Sequence, residues 1–159
     1  MKNSMKFKPK YFICDVDGVM TTGHFLYSNK GKIFKIFGPH DHDGLNLIKE
    51  SIKIIFMTAD LKGFLISKKR IETDLGYPLL LIKESNRYQV IKNKYGLKNT
   101  IYMGDGYFDQ KILKDCLYGI APCNARKEAK ASANFITSSS SGNGAVLDAC
   151  LQIRKIFFK

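Results

Sequence analysis

The chain has no apolar run approaching the roughly 18–20 residues a membrane-crossing helix needs, so no such span is expected. It also lacks a signal peptide's hydrophobic region. Lys2, Lys6, Lys8 and Lys10 make the N-terminus basic, but the apolar stretch that follows stops at Asp15. The expected compartment is the cytoplasm. Four cysteines are present, Cys14, Cys116, Cys123 and Cys150, with no C-x-x-C pair and no histidine partners at metal-ligand spacing. Reduced, buried thiols are expected in place of a disulfide framework. There are no internal repeats, and the serine stretch at 138–141 is too short to link two domains. Acidic residues are scarce, 14 against 26 lysines and arginines, which leaves a net charge of +12.

What is present suits one domain. A chain of 159 residues with 45% hydrophobic and 12% aromatic content can bury a sizeable core but has no room for a second large unit. The positive balance favours anionic partners, which include nucleic acid, phosphorylated metabolites and membrane surfaces. The lysines are spread along the chain, mostly on expected helix faces, and that distribution weighs against nucleic acid.

The organising stretch is 11–19, Tyr-Phe-Ile-Cys-Asp-Val-Asp-Gly-Val. Its continuous apolar run predicts a strand buried on both faces, as in a parallel sheet. Two carboxylates fall where that strand must end, and open α/β sheets gather ligands at the carboxyl ends of strands. In an extended segment i and i+2 face the same way, which places Asp15 and Asp17 to address one ligand. Two like charges that close need a cation or a proton between them. Taken alone, Asp-x-Asp-Gly reads first as an Asx turn opening a loop. The rest of the chain changes that reading.

Two β-rich runs, 24–28 and 32–37, flank Asn29-Lys30-Gly31 and predict a hairpin ended by Gly38-Pro39. A lone hairpin is marginal in water, and the apolar residues of its second arm call for a packing partner such as another subunit. His40-Asp41-His42-Asp43-Gly44 precedes a helix expected at 45–51. Asp41 or Asp43 as the helix cap is preferred there to a metal site. His42 and Asp43 remain candidate substrate contacts. A buried strand at 53–58 ends in Thr58-Ala59-Asp60, and a helix through Ile66, Ile71 and Leu75 is stopped by Gly76 and Pro78. A strand at 79–82, a helix at 85–95 and a strand at 100–103 ending in Gly104-Asp105-Gly106 follow. A short helix (108–116), a strand (117–121), a helix (124–132), a strand (134–137) and a last helix from near 143 complete the chain. This alternation predicts right-handed β-α-β units on a parallel sheet. Asp15, Asp17, Thr58 and Asp105 then share one sheet edge, an oxygen-rich site suited to Mg²⁺ and phosphate.

At these residues the chain resembles the haloacid dehalogenase superfamily of phosphotransferases. Asp15-x-Asp17-Gly18-Val19 looks like its first motif, Thr58 its second, and Gly104-Asp105-Gly106-x-x-Asp109 its fourth. No insertion large enough for a cap domain is present. That is similar to the capless, tetrameric phosphatases of 3-deoxy-manno-octulosonate 8-phosphate and of nine-carbon sugar-acid phosphates. The hairpin, the Asp43-Gly44 helix start and the Gly142-Asn143-Gly144-Ala145-Val146 tail also look like that subfamily. The resemblance implies a Rossmann-like three-layer sandwich with a hairpin flap over 24–37. It implies Asp15 as nucleophile forming an aspartyl-phosphate and Asp17 as general acid and base. Mg²⁺ would be held by Asp15, the backbone carbonyl of Asp17, and Asp105. Thr58, the backbone N–H groups around Ala59, and a cation from the third motif would bind phosphate oxygens; Asp109 would orient the metal shell, and it and Asp43 join the substrate-binding set. The tetramer implied has a neighbour's surface lidding the site.

The chain departs from the pattern in places. Ser85-Asn86-Arg87 puts arginine where the family's third-motif lysine stands, with Lys83 as the fallback. Asp60 stands where octulosonate-phosphate enzymes tend to carry arginine, although relatives acting on nine-carbon acids can be acidic there. Asn143 replaces another frequent arginine. The leading expectation is a Mg²⁺-dependent phosphatase of a sugar-acid phosphate. The alternatives are an oligomerising relative of little or no activity, and a nucleic-acid-end phosphatase.

Overall fold

In the computed structural model β1 (Tyr11–Asp15) lies at the centre of a parallel sheet, with Phe12, Ile13 and Cys14 fully buried. The structure describes residues 8–159, so Lys2 and Lys6 lie outside it. The hairpin strands are β2 (Thr21–Ser28) and β3 (Gly31–Phe37), and the other sheet strands are β4 (Lys53–Thr58), β5 (Leu79–Leu81), β6 (Thr100–Met103), β7 (Tyr118–Ala121) and β8 (Phe135–Ile136). The sheet order is β5-β4-β1-β6-β7-β8, parallel at every pairing.

Both sheet faces are covered, because successive strand side chains point to opposite sides and nearly all of them are apolar. Phe12, Cys14, Phe56 and Met103 meet α1 (His40–Ile48) and α6 (Ala145–Phe157) through Leu45, Ile48, Val146 and Ile153. Helix α2 (Phe64–Lys68) runs on through a wider-wound turn, Lys69–Asp74, which adds Ile71 to that side. Ile13, Ile55, Met57 and Tyr102 face the other way, toward Ile91, which follows α3 (Glu84–Val90), and toward α4 (Gln110–Asp115) and α5 (Lys127–Ser132). The result is the expected three-layer α/β sandwich. Among the described residues no helix is long and apolar enough to cross a membrane.

The first arm of the hairpin begins at Thr21, three residues before the expected start at 24. Helix α1 begins at His40, well before the expected 45. Asp41 caps a different helix from the one expected: it is fully buried, and its Oδ1 accepts from the N–H groups of Val146 (2.8 Å) and Leu147 (3.4 Å). Its charge therefore sits at the positive end of α6. Gly44 permits this close packing, since a Cβ there would lie 2.6 Å from the Leu147 Cα. Three of the four cysteines are buried as expected, but Cys123 is only half-buried.

Candidate active site

Asp15 ends β1 on the side that Ile13 also faces, which directs its carboxylate toward α3. The chain then turns sharply over 16–20, with Gly18 at φ +81°. A side chain at that position would overlap the Asp105 carboxylate, so the turn and the close approach both require glycine. Asp105 follows β6, the strand next to β1, and the two carboxylates meet across the sheet edge.

The carboxylates brought together are Asp15, Asp105 and Asp109, with an oxygen from each within 4.8 Å of the others. Burial pushes Asp15 up to about 7, with Arg87 opposing and Asp109 adding to the rise. Burial and the charges of Asp15 and Asp109 push Asp105 up to about 8. Groups so crowded are stabilised by a hard cation, and three carboxylates are the donor set such an ion takes. The fit to a divalent metal is therefore good.

The Asp17 carboxylate does not join that cluster. Sequence spacing placed it beside Asp15 on the assumption of extended backbone, but the strand ends at Asp15 and Asp17 lies within the turn. Its side chain instead lies 2.8 Å from Lys35 Nζ at Oδ1, and its Oδ2 accepts from Lys35 Nζ at 3.0 Å and from Thr58 Oγ1 at 3.1 Å. Thr58 is fully buried and its oxygen also accepts from the N–H of Asp60. Ala59 and Asp60 reach the cleft wall.

Arg87 is 2% exposed, and its Nη1 donates to Asp15 Oδ2 (2.9 Å), Tyr102 Oη (3.0 Å) and Asp109 Oδ1 (3.2 Å). Lys83 is exposed at the start of α3 and does not line the cleft, whereas Arg87 does, within hydrogen-bond reach of Asp15. Asp109 is 3% exposed and also accepts from Tyr102 Oη and the Gly106 N–H. It lines the cleft and, by accepting from Arg87, helps hold that guanidinium in place. Asp43 is exposed and does not line the cleft, because α1 turns Asp41, Gly44, Leu45 and Ile48 inward. His42 pairs with Asn46 on the same helix, and Asn143 is exposed near Ser140.

Two groups escaped the sequence reading. Tyr102 lies within the strand expected at 100–103, and nothing local marks its hydroxyl as part of the site. Lys35, like Lys32, is a charged residue amid the apolar residues of β3. Asp60, expected as a specificity position, accepts from Lys32 and Lys35 and from the Gly63 N–H (3.0 Å). Burial would raise it, but the two lysines outweigh that and hold it down at about 2. The cleft encloses about 370 Å³, and Phe25, Tyr107 and Phe108 contribute aromatic walls.

Residues 81–149 match the family model described as haloacid dehalogenase-like hydrolase. The chain is 30% identical over 148 residues to the 3-deoxy-D-manno-octulosonate 8-phosphate phosphatase KdsC of Haemophilus influenzae, a match spanning 86% of this chain and 77% of that one. It is 26% identical to KdsC of Yersinia pestis over 89% of this chain and 77% of that one. The Moraxella catarrhalis phosphatase of the same name, crystallised with magnesium, phosphate and KDO, superposes with a TM-score of 0.81 at 28% identity, covering 93% of this chain and 87% of that one. The cobalt-bound YrbI phosphatase of Haemophilus influenzae gives 0.78 at 25% identity, covering 94% and 89%.

Proposed function

Since the chain belongs to the haloacid dehalogenase-like hydrolases of the KdsC type, we propose that it is a Mg²⁺-dependent phosphatase of a sugar-acid phosphate. The observation that carries this is Arg87 Nη1 at 2.9 Å from Asp15, beside the Asp105 and Asp109 carboxylates. Asp15 attacks phosphorus as the bond to the sugar oxygen breaks, and Asp17 gives that oxygen its proton. Asp17 then takes a proton from water, the water oxygen attacks phosphorus, and the Asp15–phosphorus bond breaks to release phosphate. Arg87 offsets phosphoryl charge from within hydrogen-bond reach of the nucleophile. Asp15, Asp105 and the backbone carbonyl of Asp17 would hold Mg²⁺, with Asp109 beside them. When bound, the ion supplies the positive charge that lets an anionic carboxylate approach an anionic phosphate.

The named relatives favour 3-deoxy-D-manno-octulosonate 8-phosphate as substrate, with a nine-carbon 9-phosphate of the acylneuraminate or KDN type as the alternative. Phosphate release from both esters and from an aryl phosphate, with Mg²⁺ and with chelator, tests the proposal. One sugar-acid ester should turn over fastest, and chelator should abolish release. No release from any of them with Mg²⁺ overturns it.

The hairpin supports a homotetramer with residues 24–37 at an interface. Phe25, Leu26, Tyr27, Ile33, Phe34 and Ile36 are each 41–61% exposed in the single chain, a large apolar surface for one small element. Light scattering at micromolar protein is expected to give four times the chain mass, and Phe34→Lys a smaller species. A monomeric mass with full activity overturns both the interface and a lid shared between subunits.

A further inference from the structure

On β3 the apolar side chains of Ile33, Phe34 and Ile36 face outward, and the side chain that turns inward is a lysine. The Lys35 side chain is wholly buried. Its Nζ reaches Asp17 (2.8 Å to Oδ1, 3.0 Å to Oδ2), Asp60 Oδ2 (2.9 Å) and Ser67 Oγ (2.8 Å). These acceptors come from the turn after β1, the loop after β4 and helix α2. An ammonium group has three protons to donate, and three partners satisfy it. Buried without them it would be strongly unfavourable, so Lys35 stays inside only while the hairpin lies against all three elements.

Lys32 adds a second tie from the same strand. It pairs with Asp60, and its Nζ sits 3.5 Å from the centroid of the Phe25 ring. Asp60 is thereby committed to the hairpin. Asp17 is gripped from two directions, by Lys35 from the hairpin and by Thr58 from β4.

We propose that Lys35 is a positioning residue that fixes the direction of the Asp17 carboxylate and makes that direction depend on the hairpin being seated over the cleft. The proposal rests on the phosphatase reading, in which Asp17 protonates the leaving oxygen. An alkoxide leaving group depends on that proton, whereas 4-nitrophenolate departs with little help. The ratio of kcat/KM between an alkyl and an aryl ester therefore reads how well Asp17 is placed, since kcat/KM covers only the steps through release of the alcohol.

The variant is Lys35→Met, close in length and uncharged, assayed with Mg²⁺ on the sugar-acid phosphate and on 4-nitrophenyl phosphate. General acid catalysis is worth about 10²–10⁴-fold, so loss on the alkyl ester should exceed loss on the aryl ester by at least ~10-fold. Hydrogen exchange at the backbone amides of 21–37 should also quicken. Equal losses on the two esters, or unchanged exchange, overturn the proposal. Should Lys35→Met fail to fold, Lys35→Gln, which keeps a donor but not the charge, carries the same expectations. If the parent enzyme hydrolyses neither ester, the phosphatase reading itself fails, and hydrogen exchange still decides whether Lys35 seats the hairpin.

Discussion

Asp15→Asn is expected to lower kcat by on the order of 10⁴-fold or more while the chain still folds. The amide is nearly isosteric with the carboxylate but cannot serve as the attacking oxygen, and one ligand of the proposed metal site is lost with it. Little packing changes, and Arg87 keeps Asp109 as a charged partner. Burial raises the folded-state value of Asp15 from 3.8 to about 7. A carboxyl group raised in this way favours the folded state when protonated. Its contribution is complete below the unfolded value and is lost as pH rises toward 7. In metal-free protein the asparagine variant should therefore show a shallower fall in stability between about pH 4 and pH 7. Turnover by the purified variant with Mg²⁺ at a tenth or more of the parent rate would remove Asp15 as nucleophile.

Arg87→Met is expected to cost about 3–5 kcal/mol of unfolding free energy at pH 8 in chelator, together with activity. Arg87 is among the largest fully buried side chains in the molecule, and it separates Asp15 from Asp109. Without it two buried carboxylates face each other, with Asp105 close by. Arg87 opposes the rise at Asp15 and Asp105, so its removal sends both further up. The folded variant must then bind protons that the unfolded chain does not, and its deficit should shrink on going from pH 8 to pH 6. Urea melts of variant and parent at both pH values measure this. A deficit under about 1 kcal/mol at pH 8, or one that grows at pH 6, would mean that Arg87 does not hold the cluster together.

Much of the site was legible because it follows from strand periodicity. Apolar runs bounded by Asp15, Thr58 and Asp105 placed the ends of β1, β4 and β6 on one edge, and parallel neighbours in the sheet carry them there. The Ser85-Asn86-Arg87 segment marked Arg87 only by comparison with a lysine-bearing motif. Its bonds to Tyr102 and Asp109 carried no local signal. Asp17 lines the same cleft as Asp15, but its carboxylate turns to Lys35 and Thr58, because the strict i, i+2 alternation ends where the strand ends, at Asp15.

The sequence by itself determined the order of strands and helices, the two-sided burial of the sheet, and the acidic residues at its edge. These depend on periodicity and on neighbours a few residues apart. Tertiary structure alone decided which charges meet. Lys35 reaches Asp17 across 18 residues, Arg87 reaches Asp15 across 72, and Asp41 reaches the Val146 N–H across 105. A buried charge must find its partner wherever the packed elements bring one, whatever its distance along the chain. That requirement turned Lys32 and Lys35 of β3 inward while Ile33, Phe34 and Ile36 stayed exposed.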